Sequence, residues 1–196
     1  MIYNYFILFL FYVSIIILLI IFKPFLIKVP SDYYELVDEN FNKLGYKQYL
    51  LERIEQYQCY KFINSDAIVL ELGGRYGVVS ICINKILSNP KNHIVFEPDN
   101  NVIKALEYNR KISNSNFIII EGIISNKNNC NCKINYNGYG TNITFDNNDD
   151  NDNIKCFKLS DINCYNFNTL VIDCEGCFNN FLHENYKFLN NIHTII

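Results

Sequence analysis

The sequence predicts an α/β protein, an open doubly wound sheet preceded by an N-terminal membrane-spanning helix. Three observations carry that expectation. Residues 2–22 hold no charge. Beyond residue 64, β-branched apolar runs alternate with segments of helical period, and a glycine-rich turn follows the first run directly.

The opening segment IYNYFILFLFYVSIIILLIIF would span about 30 Å as a helix, the hydrocarbon thickness of a bilayer. It lacks the charged leader, short apolar core and small-residue cleavage site of a removable signal peptide. Residues 1–30 therefore read as an uncleaved single-pass anchor. Lys23 and Lys28 follow the span and no Lys or Arg precedes it, which directs the rest of the chain toward the cytoplasm. The sequon Asn142-Ile143-Thr144 would matter only in a lumen.

The rest of the chain is long enough for one domain with its own core. A net charge of −3 without a Lys/Arg cluster in the globular part argues against a nucleic-acid surface. In residues 31–63, Leu36, Phe41 and Leu44, then Leu50, Leu51 and Ile54, recur at helical spacing after a capping Ser31 or Asp32. Gly45 divides this stretch into two helices, which would form a stalk or a cap.

Residues 64–196 carry the runs AIVLEL, HIVFE, FIIIE, TLVID and HTII, starting at residues 67, 93, 117, 169 and 193. None alternates with polar residues, as expected of parallel strands covered on both faces. VVSICINKIL, DNNVIKALEYNRKI and FNNFLHENYKFL lie between them and read as crossover helices. Residues 126–168 break the rhythm and read as an insertion with a short strand or two. Its acidic tract DNNDDNDN lacks the glycine and terminal glutamate of an EF-hand loop.

Chemistry concentrates at the strand ends. In ELGGRYG, residues 71–77, the glycines let backbone approach a ligand at the carboxyl edge, where open α/β sheets bind theirs. The Gly73-xxx-Gly77 spacing departs from G-x-G-x-x-G, which counts against a nicotinamide dinucleotide. Glu97, ending the second run, suits the hydroxyls of a ribose. Glu121, ending the third, could reach an adenine amino group or simply solvate a strand end. Asp173 and Glu175 follow the fourth run.

ELGGRYG, VFEPDN, EGIIS, KLSDI and IDCEGCFNNFL, in that order, resemble the motifs of FkbM-type methyltransferases. These are a branch of the Rossmann-like class I S-adenosylmethionine-dependent fold, and the resemblance runs from about residue 68 to 196. It implies S-adenosylmethionine as cofactor, with Glu71, Gly73 and Gly77 forming the cofactor loop and Glu97 the ribose ligand. It also implies catalytic roles for Asp173 and Glu175, and as substrate a carbohydrate, lipid or small-metabolite methyl acceptor. Val171 and Phe178 stand where the family usually has a lysine and a second glutamate. Class I sheets have seven strands and HTII is about the fifth, so the chain is expected to be incomplete at its C-terminus. A degenerate, non-catalytic binding module keeping this fold is the rival expectation.

Cys174-Glu175-Gly176-Cys177 has redox-motif spacing. An adjacent Asp173 would disfavour a thiolate there, and zinc would need four ligands, so the cysteines read as structural free thiols and no metal is expected. His93, His183 and His193 form no paired pattern.

Overall fold

The computed structural model describes residues 12–19, 21–23, 27–126, 132–137, 140–145, 154–162, 164–174 and 176–196. Its centre is a five-stranded parallel sheet of order β3-β2-β1-β8-β9, formed by β1 (Val69–Leu72), β2 (His93–Glu97), β3 (Ile118–Glu121), β8 (Thr169–Ile172) and β9 (Thr194–Ile195). This is the expected mixed α/β architecture, compatible with a Rossmann-like fold. The chain winds outward from β1 to β3 and then returns to lay β8 on the other side of β1. The β1–β8 boundary is therefore the topological switch point.

Every residue of β1 and β2 is buried, because the alternating side chains meet apolar layers above and below. One layer contains Val95, Val102, Ala105, Leu106 and Phe117, and beside it Val69, Val79, Ile83 and Val171 form a second cluster. The opposite layer contains Leu70, Leu72, Ile94, Phe96, Leu170 and Phe181. These sets are the odd and even positions of the central strands, so strand period alone sorts the core. The crossovers are α3 (Val78–Ile86), after β1, and α4 (Asn100–Ile112), after β2. Asp99 caps α4 by accepting from the Asn101 N–H at 3.0 Å. Helix α5 (Phe178–Asn185) follows β8 and leads to β9, whose two residues pair with Thr169 and Leu170.

Residues 31–63 lie on the domain. α1 (Tyr46–Leu51) and α2 (Arg53–Phe62) begin after Gly45, and Leu36, Val37 and Leu44 join the apolar layer of α4. The helix expected to begin near residue 31 stops after one 3₁₀ turn, Pro30–Tyr33. Asp38 is the cause: its Oδ1 accepts from the N–H groups of Asn40 and Asn42, at 2.9 and 2.8 Å, which turns the chain back on itself. Val37 then bridges Lys43 in antiparallel fashion.

Asn109 of α4, fully buried, holds this segment against the glycine turn. Its Oδ1 accepts from the Val37 N–H at 2.9 Å, and its Nδ2 donates to the carbonyls of Val37 and Tyr76 at 2.8 and 2.9 Å. Asn109→Ala orphans buried backbone groups and is expected to cost about 2 kcal/mol, read as a lower urea midpoint at unchanged slope.

Within the insertion, β5 (Cys132–Asn137) and β6 (Gly140–Phe145) form an antiparallel pair. β4 (Ile123–Ile124) runs parallel to β7 (Cys156–Phe157). The acidic tract lies outside the described residues, except that its flank at Ile154 is described.

The predicted anchor is only partly covered. Residues 12–19 and 21–23 are helical, whereas residues 1–11, 20 and 24–26 lie outside the described set. Among the described residues no helix is long and apolar enough to cross a membrane, so the spanning helix expected over residues 2–22 is not borne out by this structure.

Candidate ligand site at the sheet switch point

The carboxyl ends of β1, β2 and β8 meet around the glycine turn. Gly73 follows β1, donates its N–H to the Phe96 carbonyl at 2.9 Å and has φ +96°. A Cβ at Gly73 would stand 2.3 Å from the carbonyl oxygen of Asp173. On the other flank, the Asp173 N–H donates to the Leu72 carbonyl at 2.9 Å. Only a residue without a side chain lets β1 and β8 approach this closely in this conformation. Gly77, with φ +81°, caps α3, and a Cβ there would press on Leu106 at 2.8 Å.

Glu97 organises the turn. Its Oε2 accepts from the N–H groups of Gly74 and Arg75, at 3.1 and 2.6 Å, and its Oε1 accepts from Asp99 N–H at 2.8 Å. In a phosphate-binding loop such turn amides face an anion from the ligand. Here a side chain of the protein takes them, which agrees with the sequence spacing in disfavouring a pyrophosphate. Burial raises the Glu97 carboxyl above its ordinary range, and the hydrogen bonds from Asp99 and Arg75 counter this only in part.

Beside the turn a pocket of about 290 Å³, continuous with solvent, opens at the carboxyl edge. Leu72 and Gly73 come from β1 and its exit, Phe96 and Pro98 from β2 and its exit, and Gly122, Ile123 and Ile124 from the segment after β3. Cys174, Cys177 and Phe181 close it from the β8 side. The walls are apolar.

The predicted site residues do not all meet here. Gly73 lines the pocket; Glu97 does not, and its carboxylate instead holds the Gly74 N–H beside it. Asp173 is exposed at the end of β8, beside the lining residue Cys174. Glu71 lies elsewhere: buried on the α3 side of the sheet, it meets His93 Nε2 at 2.7 Å and does not line the pocket. Strand period accounts for that, since Leu72 faces the pocket layer and its neighbour must face away. Glu121 is exposed at the end of β3, in register with Glu97 and outside the pocket wall. Glu175 lies outside the described residues.

Sequence reasoning missed several contributors. Tyr76 bonds Glu39 and carries Arg75 stacked 4.8 Å over its ring, which ties the turn to the N-terminal segment. Glu184 of α5 accepts from Ser125 Oγ at 3.2 Å and Asn126 N–H at 2.6 Å, bracing the strand that supplies Ile123 and Ile124. No local signal marks either. The cysteines are also different from expectation: Cys174 and Cys177 form a disulfide, and Cys156 is disulfide-bonded as well, whereas Cys59, Cys82 and Cys164 are free.

Among the described residues no group of His, Cys, Asp and Glu could hold a metal ion. No family model matches the chain, and no curated protein matches it.

Proposed function

We propose that the domain is an S-adenosylmethionine-dependent methyltransferase of the class I, FkbM-like type. It acts on an oxygen of a carbohydrate, lipid or small metabolite at a membrane, with residues 2–22 as anchor and the domain on the cytoplasmic side. The carrying observation is the convergence at the switch point of a side-chain-intolerant glycine turn, a buried carboxylate and an apolar pocket.

The residues present fit the cofactor. Gly73 brings bare backbone to the pocket wall, and Phe96, Pro98 and Ile123 give that wall the apolar character an adenine ring packs against. Glu97, at the end of β2 with Oε1 accepting from the Asp99 N–H, is the residue we assign to the ribose hydroxyls. When bound, S-adenosylmethionine supplies an electrophilic methyl on sulfonium sulfur. The protein then has to align the acceptor oxygen and accept its proton, and Asp173, exposed beside the lining residue Cys174, is the carboxylate we assign to that step.

Val171 and Phe178, together with the backbone donors already on Glu97, favour the second reading, a binding module without turnover. Incubation of the full chain in detergent with methyl-tritiated S-adenosylmethionine and each acceptor class separates the two. Asp173→Asn is expected to cut transfer about 100-fold while leaving S-adenosylhomocysteine affinity unchanged. Binding without labelled product from any acceptor class favours the binding module.

A further inference from the structure

We propose that Cys174–Cys177 is a thiol–disulfide exchange site, opened by small dithiols, whose state sets the rigidity of the pocket wall. Both cysteines line the pocket and both are only partly buried, so a solvent-borne thiol can reach them. Their Cα atoms are 5.5 Å apart, and the bridge joins the exit of β8 to the start of α5. Cys177 is the residue before the first turn of α5, and its carbonyl accepts from the Phe181 N–H at 2.9 Å.

That position sets the chemistry. A dithiol thiolate attacks Cys174 Sγ, the S–S bond breaks, and Cys177, the N-cap residue of α5, leaves as a thiolate at the helix end that favours negative charge, away from Asp173, which neighbours Cys174. The second thiol of the dithiol then displaces Cys174 from the mixed disulfide. The dithiol ends as a disulfide, and the protein gains two electrons and two protons as two cysteine thiols.

The coupling to the pocket is steric. The Cys174 amide nitrogen lies 3.3 Å from where a Gly73 Cβ would stand, so Cys174 packs on the glycine turn. Phe181, one helical turn beyond Cys177, is fully buried and lines the pocket. Cutting the bridge frees the connection between these two points. Cys59 and Cys82 serve as internal controls, being fully buried and, for Cys82, pushed up to about 12 by that burial.

The inference does not depend on the cofactor reading, because its test uses no cofactor. The folded full chain in detergent is exposed to millimolar dithiothreitol, alkylated and mapped by mass spectrometry, with hydrogen exchange followed on residues 72–77 and 177–182. Cys174 and Cys177 are expected to alkylate together while Cys59 and Cys82 stay protected. Both segments are expected to exchange about tenfold faster after reduction, as Cys174→Ser/Cys177→Ser does without reductant, and that double variant shows no further response. Alkylation of Cys174 and Cys177 only on global unfolding overturns the exchange site. Unchanged exchange in the reduced protein, or an equal response in the double variant, overturns the coupling to the wall.

Discussion

Gly73→Ala is expected to lower the free energy of unfolding by about 4 kcal/mol. A φ of +96° costs an alanine about 1–2 kcal/mol. The larger part comes from the Cβ, which would stand 2.3 Å from Asp173 O and 2.8 Å from its carbonyl carbon. Both are backbone atoms of the neighbouring strand exit, so β1 and β8 must separate at the edge where Leu72 O accepts from the Asp173 N–H. Gly45→Ala is the matched control: a Cβ there meets only the end of the flexible Gln48 side chain, at 2.8 Å, and φ is an ordinary −73°. Its cost is expected to stay within about 0.5 kcal/mol. Urea unfolding of the two variants in parallel separates strand approach from a general dislike of side chains in loops.

Glu97→Ala is expected to cost about 3 kcal/mol, because it orphans the N–H groups of Gly74, Arg75 and Asp99 at once. Glu97→Gln, which keeps one acceptor oxygen, is expected to cost less. The two variants also differ from the parent in pH dependence. The folded-state pKa is raised, so between the ordinary glutamate value and the folded one the native protein binds more protons than the unfolded chain. Stability at this group is therefore greatest below the unfolded pKa and falls as pH rises through the folded value. Glu97→Gln is expected to remove that portion of the slope, and urea midpoints across the acid range read it directly.

How much of this was visible in the sequence depends on what each feature rests upon. β1, β2 and β8 were legible because a strand covered on both faces must be continuously apolar, and the intervening segments carried the helical period. Gly73 was legible as a turn glycine, but its partner Asp173 lies a hundred residues away, and only the pairing of β1 with β8 makes the close approach. Glu71 looked like a site residue by its place beside the turn. Its side is decided by strand alternation counted from Leu72, which puts it with His93 on the far face. Residues 34–44 had helical spacing, but Asp38 satisfies the local amides in a turn, a competition that apolar period does not record. The cysteine spacing 174–177 was plain and its oxidation state was not, since spacing carries no information on pairing.

The central proposal is that the switch-point pocket binds an adenosine-containing ligand and that Glu97 contributes to its affinity. Calorimetric titration of the detergent-solubilised full chain with S-adenosylhomocysteine tests this most directly. The account predicts saturable one-site binding that weakens about tenfold in Glu97→Gln, equivalent to about 1.4 kcal/mol. Absence of heat with the folded protein, or an affinity indifferent to Glu97→Gln, would contradict it.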